Sequence, residues 1–277
     1  MDGALSLTLA LRAGRTCIVE QDHRAPLKVQ VPIYADPAMP GMATVYVLSS
    51  SGGVVQGDRF TIGVRADEGT QVRMTTPAAT KIYRSTGETA TQHVHLRTEA
   101  GSYLEYVPGP VIPFRDARFV ESVTLEADSS STLIFAETIC SGRIARDERH
   151  AYALYSSRVE AYDPEGSLLF VDHNYISPSD ATPAAPGLMG SYDVLGIVHI
   201  LAPSGCVPDL AATLQNLVSD AAVVLGGASQ LPAECGVTMR LLGRRMEEVT
   251  TVVQDVCKTV RAFTFDRTES SGKERDH

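Results

Sequence analysis

A chain of 277 residues is long enough to bury one substantial hydrophobic core. Apolar residues make up 44% and charged residues 21%, a balance typical of globular proteins and unlike that of disordered, fibrous or membrane-spanning chains. The net charge of -9 argues against a nucleic-acid partner, because phosphate recognition requires clustered cations. The 5 cysteines are scattered and contain no C-x-x-C pair, so the sequence predicts neither a disulfide framework nor a structural zinc site.

The N-terminal residues 1–16 predict a first strand rather than a signal peptide. Their apolar stretch is short, follows Asp2 instead of a basic region, and is interrupted by Arg12. No segment of the chain approaches the roughly 18 consecutive apolar residues that a membrane span needs. We therefore expect a cytoplasmic protein without a membrane partner.

From about residue 29 to residue 176 the sequence alternates between polar and apolar positions, which predicts a series of short strands. Turn-forming segments at 67–70, 99–102 and 127–130 separate these strands and recur at intervals of about thirty residues. Such a unit stacks into a β-helix-like solenoid or forms two packed sheets, and the periodicity alone leaves both open.

The remaining third of the chain has a different character. Residues 177–190 are rich in Pro, Ala, Gly and Ser, which predicts an irregular surface segment. Apolar stripes predict helices over 209–222, with Asp209 as the N-cap, and over 244–261. The sequence thus predicts a mainly β body with two helices packed on it. We expect a single domain over residues 1–265 and a disordered tail over 266–277.

Familiar enzyme motifs are missing from the sequence. The glycine-rich segment 52–58 has the glycine spacing of a P-loop, but Asp58 stands where a phosphate-binding Lys is required. Neither a G-x-S-x-G elbow nor an H-E-x-x-H motif occurs. His93 and His95 share one face of a predicted strand, a spacing that can chelate a metal but more often reflects ordinary polar patterning.

Four segments together resemble the UreD/UreH family of urease accessory proteins. They are GGVVQGD at 52–58, TTPAATKIYRS at 75–85, the proline-rich stretch 108–118, and GRIARDE at 142–148. Their order and separations match, and the resemblance runs from about residue 25 to residue 265. One position departs from the pattern, since Asp147 stands where the family usually has Gly before its Glu.

The resemblance implies a β-helix-like protein with a pair of helices and without enzymatic activity of its own. Members of the family act as scaffolds in urease maturation. They bind the urease apoprotein on one side and, on the other, a helical UreF-like accessory protein that recruits a nickel-carrying, UreG-like GTPase. The resemblance therefore implies nickel in transit, with no tightly bound cofactor, and an internal water-filled passage as its route.

Carried onto this sequence, the family pattern implies that Asp58 and Glu148 bind nickel transiently, since hard carboxylate oxygens hold nickel only weakly. The residues implied to line the passage or to contact a partner are Thr75, Thr76, Lys81, Tyr83, Arg84, Ser85 and Arg143. Two other functions stay open at this point. One is a metal-free β-solenoid adaptor that binds only protein, and the other is a hydrolase that uses Asp58 and Glu148.

Overall fold

The computed structural model describes the backbone of residues 1–273 and the side chains of residues 1–265. The strands, in chain order, are β1 (Asp2–Arg12), β2 (Arg15–Arg24), β3 (Leu27–Val29), β4 (Ala43–Ser49), β5 (Arg59–Ala66), β6 (Gln71–Thr75), β7 (Thr80–Ile82), β8 (Ala90–Thr98), β9 (Tyr103–Tyr106), β10 (Val111–Pro113), β11 (Arg118–Ala127), β12 (Thr132–Cys140), β13 (Leu154–Tyr162), β14 (Leu168–Ile176), β15 (Val194–Leu201), β16 (Val224–Gln230) and β17 (Gly236–Gly243). The helices are α1 (Val207–Asp220) and α2 (Met246–Lys273).

The strands form two sheets, and the chain alternates between them. The first sheet has the strand order β14-β13-β11-β8-β5-β1-β2, and the second has β16-β17-β15-β12-β9-β6-β4-β3, with β7 and β10 attached beside β12. In the middle of each sheet the neighbours are parallel, as in β5, β8 and β11 or β6, β9 and β12. Parallel strands that recur once per circuit define stacked coils, so the fold is a β-solenoid and the two-sheet sandwich is excluded.

The turns explain the interval of about thirty residues. At the bend after β5, β8 and β11, the hydroxyls of Thr70, Ser102 and Ser131 each donate to the carbonyl three residues earlier, at distances of 2.6 to 2.8 Å. Successive bends also bond to each other, because the Gly69 N–H donates to the Ala100 carbonyl. Each short polar segment therefore closes its own coil and stacks on the next one.

The two helices cover the outer face of the second sheet. Their buried residues join Ile134, Val198 and Met239 in one hydrophobic cluster, while a separate cluster fills the space between the two sheets. The predicted mainly β fold with two late helices is confirmed. The N-cap prediction was wrong, because a 3-10 turn at Ser204–Cys206 runs directly into α1 and Asp209 lies inside its first turn.

The ends of the chain differ in detail from the sequence prediction. Residues 177–190 are irregular, as predicted. Helix α2 extends beyond residue 261 to Lys273, so the predicted tail over 266–277 overlaps this helix, and residues 274–277 lie outside the described part of the chain.

At the far edge of the second sheet, the side-chain oxygen of Gln215 in α1 accepts the N–H of Ala228 in β16 at 2.8 Å.

Candidate functional site

The family-like segments meet at one corner of the solenoid. The Val54 N–H donates to the Lys81 carbonyl and the Tyr83 N–H donates to the Val54 carbonyl, both at 2.8 Å. One coil further on, the Phe114 N–H donates to the Ile82 carbonyl at 2.9 Å. These bonds stack segments that are distant in sequence. We call residues 52–58, 80–85, 113–116 and 142–148 the corner loops.

Glu148 is held in the corner loops by a bidentate pair with Arg143. The Nε and Nη2 atoms of Arg143 donate to the two carboxylate oxygens at 2.7 and 2.6 Å, and the Arg115 N–H adds a bond at 3.2 Å. The hydrogen bonds from Arg143 hold the pKa of Glu148 below its usual value. The guanidinium also lies 3.8 Å from the centroid of the Phe114 ring, a cation–π contact.

The backbone around this pair explains the departure at Asp147. Asp147 has φ 55 and lies in the left-handed region, which Gly adopts freely and Asp tolerates better than most residues. Gly142 has φ +129, and a Cβ there would lie 2.1 Å from the Glu148 carbonyl oxygen. The loop therefore requires a glycine at position 142, while position 147 accepts aspartate.

Asp58 is buried in the glycine-rich corner loop, with 3% of its surface exposed. Its Oδ1 atom accepts from the Met1 ammonium group and its Oδ2 atom accepts from the Val55 N–H, both at 2.9 Å. Asp58 and Glu148 thus each have their own cationic partner on different coils. Among the described side chains, no group of three or more His, Cys, Asp or Glu could hold a metal ion.

The other predicted residues surround the same corner. Ser85 is buried and its hydroxyl donates to the Glu88 carbonyl at 2.7 Å, while the exposed Arg84 pairs with Asp116 at 3.1 Å. The Tyr83 hydroxyl donates to the Gly52 carbonyl at 3.2 Å. Three more, Thr75, Thr76 and Lys81, line two neighbouring cavities.

A row of polar side chains crosses the otherwise apolar inside of the first sheet. Strand register aligns Gln92 in β8 with Glu121 in β11, Glu121 with Ser157 in β13, and Ser157 with Asn174 in β14. Cross-strand partners lie on the same face of a sheet. The apolar residues two positions away along each strand pack into the core between the sheets, so the polar side chains face this core as well. We call Gln92, Glu121, Ser157 and Asn174 the interior polar row. Glu137 faces it from β12 of the second sheet.

The two glutamates of this region are buried beside neutral hydrogen-bond donors. Gln92 Nε2 donates to Glu121 Oε1 at 2.6 Å, and the Tyr155 hydroxyl donates to Glu137 Oε2 at 3.2 Å. Burial, followed by the charge of Glu137, raises the pKa of Glu121 to about 8. Burial raises the pKa of Glu137 to about 7, against the opposing effects of Ser157 and Tyr155. Both carboxyls therefore hold protons far more readily than exposed glutamates do.

Each end of the interior polar row reaches a cavity. Gln92 lines one of about 330 Å³, whose walls include Gly53, Thr76 and Lys81 from the family-like segments. Asn174 lines another of about 430 Å³, together with Arg240 and the irregular residues 177–189. The row therefore links the corner loops to the opposite end of the solenoid.

His93 and His95 lie on the exposed outer face of the first sheet. His93 Nδ1 contacts the Ser122 hydroxyl at 2.5 Å, and His95 Nε2 contacts Glu126 at 2.8 Å. Each ring is occupied by its own neighbour on β11. This arrangement matches polar patterning of a solvated sheet rather than a shared metal site.

Sequence reasoning missed the interior glutamates. Glu137 stands alone as a charge in the apolar run TLIFAETIC, and Glu121 occupies an inward position in the alternation of β11. Both signals are visible in the sequence. A carboxyl group in a buried strand is rare and is therefore a candidate for a functional role.

The fold and this site define a β-solenoid with ionisable groups enclosed between its sheets. The chain matches the family model described as UreD urease accessory protein over residues 1–273. It is 36% identical to "Urease accessory protein UreD 2" of Streptomyces griseus over 270 residues, covering 96% of this chain and 91% of that protein. The UreD protein of Cenarchaeum symbiosum is 32% identical over 257 residues, covering 93% and 90%.

A third relative, the UreD protein of Haloarcula marismortui, is 32% identical over 272 residues, covering 98% of this chain and 90% of the relative. The chain belongs to the UreD family of urease accessory proteins, which gives it a role in urease maturation. Among the described residues, none of the helices is both long enough and apolar enough to span a bilayer.

Proposed function

We propose that this protein delivers nickel to apo-urease as a non-catalytic scaffold in the cytoplasm. It binds the urease apoprotein and a UreF-like helical protein, and a UreG-like GTPase supplies nickel upon GTP hydrolysis. Membership of the UreD family supports the maturation role. In this proposal the nickel ion moves through the inside of the solenoid.

The interior polar row is the observation that carries the proposal. A packed solenoid core is ordinarily apolar, and buried carboxyl groups without a cation are unfavourable. Here Glu121, Ser157 and Glu137 lie together between the sheets, and the row joins two cavities at opposite ends. Oxygen atoms along such a line suit a divalent cation that must move through without being retained.

The corner loops contribute the entrance in this proposal. Asp58 and Glu148 bind nickel transiently, which requires each carboxylate to leave its present cationic partner. Ser85, Thr75, Thr76, Tyr83 and Arg143 line the approach or contact a partner. Lys81 and Arg84 are exposed, and they hold the corner loops or contact a partner instead of binding the cation, because like charges repel.

The decisive experiment measures urease activity and nickel content in cells that express urease, lack their own copy of this factor and grow in limiting nickel. We expect the wild-type chain to restore both quantities. The double variant Glu121→Gln, Glu137→Gln should restore neither, because glutamine has nearly the same size as glutamate but cannot ionise to bind a cation. Glu160→Gln is the matched control, since Glu160 lies on the outer side of β13, opposite Ser157.

The same assay separates the metal-free adaptor from the nickel scaffold. An adaptor tolerates Asp58→Asn, Glu148→Gln and the interior double variant, provided that each still co-purifies with apo-urease. The nickel scaffold loses urease activity in these variants while keeping that association. Equal nickel loading with and without the wild-type chain would refute the maturation role itself.

A further inference from the structure

We propose that the edge of β14 is a docking site for an extended segment of a partner protein, which adds to the first sheet as one further strand. The partner segment carries apolar residues at alternate positions in its centre and cationic residues at both ends. This docking site goes beyond the proposed nickel delivery, since it needs no metal.

The first sheet ends before the second sheet does. β14 is the last strand of the first sheet and lies over β15, because the rings of Phe170 and His199 are 5.2 Å apart. The second sheet continues beyond β15 with β17 and β16, whose outer faces are covered by the helices. In the described part of the chain, this strand order leaves no strand of the first sheet opposite β16.

The inner faces of β16 and β17 are partly uncovered as a result. Leu225 in β16 pairs with Leu242 in β17 on the face turned away from the helices, and Leu225 is 56% exposed. Leu242 and Asn174 line the cavity of about 430 Å³. Among the described residues, the buried Nδ2 atom of Asn174 has no hydrogen-bond partner. A strand placed beside β14 covers both leucines, and its carbonyl groups supply an acceptor for Asn174.

The other sheet edges are protected in ways that the edge of β14 is not. β2 is rich in charged residues, β3 has 3 residues, and Gln215 covers part of β16. β14 has 9 residues without Lys or Pro, and it exposes Val171 and Tyr175. Its one acid, Asp172, is already paired with Arg240. A long strand edge of this composition readily accepts another strand.

Charge indicates which kind of strand fits. Asp163 and Glu165 precede β14 and Asp180 follows it, so both ends of the edge are acidic. A second copy of this chain that paired antiparallel would bring Asp180 close to the partner's acids, and like charges repel. A segment with cationic ends is attracted in either direction, and the net charge of -9 adds a long-range attraction.

The test measures the binding of the fluorescein-labelled peptide KKTLTVTLKK to the full chain by fluorescence anisotropy. Leu225→Asn should weaken binding by about fivefold or more, because it removes apolar contact area. Leu11→Asn is the matched control, since Leu11 is also exposed but lies on β1, near the other end of the first sheet, and should bind as the wild type does.

Two further peptides test the backbone pairing and the charge. KKTLTPTLKK should not bind, because proline removes a central N–H group and disrupts an added strand. EETLTVTLEE should bind at least about tenfold more weakly than the cationic peptide. Amide hydrogen exchange over residues 168–176 should slow with the first peptide, which separates strand addition from simple occupation of the cavity.

Equal binding of the proline peptide, equal binding by Leu225→Asn, or no binding by the folded wild-type chain would overturn the docking site. A dimer of the free chain in light scattering that Leu225→Asn dissociates would overturn it in favour of a second copy. Circular dichroism reports folding, and the three peptides keep the test valid if Leu225→Asn does not fold. The proposed nickel delivery is measured separately, by urease activity in cells.

Discussion

Glu105 and Glu137 lie on neighbouring strands of the second sheet, β9 and β12, and face opposite sides of it. Glu105 points toward the helices, where Arg261 Nε lies 2.8 Å from Oε1 and the Tyr103 hydroxyl donates to the same oxygen at 2.6 Å. Glu137 points into the solenoid, where the Tyr155 hydroxyl donates to it at 3.2 Å. Both glutamates are buried, but only Glu105 has a permanent cation.

The difference separates two uses of a buried charge. Arg261 also pairs with Asp36, so it ties α2 to the loop before β4 and to the sheet at once. That network fixes the position of the helix. The interior pair of Glu121 and Glu137 has hydrogen bonds from the neutral Gln92 and Tyr155 but no adjacent cation among the described side chains, and it makes the folded state less stable when ionised. A group that weakens the fold is retained where binding requires it.

The largest expected effect comes from breaking the compensated network. Arg261→Met should lower the free energy of unfolding by about 3 to 5 kcal/mol, because it leaves the buried Glu105 with only the more distant Arg73, at 3.8 Å, and removes the partner of Asp36. Chemical denaturation followed by circular dichroism measures this loss. Lys258→Met is the control, since Lys258 pairs with Asp255 on the exposed side of α2 and should change stability by at most about 1 kcal/mol. Similar losses in both variants would show that Arg261 has no special role.

A stabilising effect is expected from a substitution on the interior face of the second sheet. Glu137→Gln should raise the free energy of unfolding by about 1 to 3 kcal/mol at pH 8 in the presence of a chelator, because it removes a buried charge. Denaturation midpoints at pH 8 measure the gain, and Glu160→Gln should show none of it. A destabilised Glu137→Gln protein would mean that the interior carboxylate is compensated after all.

The stability of the folded chain should depend on pH because of Glu121 and Glu137. The folded-state pKa values of about 8 and about 7 exceed the unfolded value of 4.5, so the folded chain binds more protons than the unfolded chain. Stability from this source is complete below pH 4.5 and is lost as pH rises through 7 and 8. Denaturation of the metal-free chain across this range measures the slope. The double variant Glu121→Gln, Glu137→Gln should flatten it, and an unchanged slope would contradict the assignment.

The smallest expected effects on stability come from replacing Tyr103 and Tyr155, each of which donates a hydrogen bond to one of the compared glutamates. Tyr103→Phe removes a hydrogen bond to a carboxyl paired with Arg261 and should lower the free energy of unfolding by about 1.5 to 3 kcal/mol. Tyr155→Phe removes the bond to Glu137, which is largely protonated at pH 6, and should lower it by about 0.5 to 1.5 kcal/mol. Parallel denaturation curves at pH 6 test the ranking. A larger loss for Tyr155→Phe would indicate that Glu137 is ionised at that pH.

Much of the fold could be predicted because it depends on local patterns. Alternating polarity sets the inward face of each strand, and the turn segments mark the coil boundaries. The start of α1 could not be predicted from Asp209, because the preceding 3-10 turn decides where the helix begins. That turn has no strong signal of its own in the sequence.

Only part of the site could be predicted from the sequence, and the reason is physical. The corner loops carry recognisable glycines and charges, so their segments could be found, although their stacking could not. The interior polar row depends on register between coils of unequal length. Arg59 pairs with Thr91, 32 positions later, whereas Ala90 pairs with Phe119, 29 positions later, and Arg118 pairs with Leu154, 36 positions later. No fixed period predicts that Glu121 meets Ser157.

The Gln215 contact covers part of the open edge of the second sheet, at strand β16. Strands with free N–H and C=O groups invite further strands to add, and β16 carries no charged residue to discourage this. The Gln215 amide oxygen occupies the N–H of Ala228 in the middle of that edge. Helix α1 thus blocks part of the hydrogen-bonding edge of the second sheet as well as packing on its outer face.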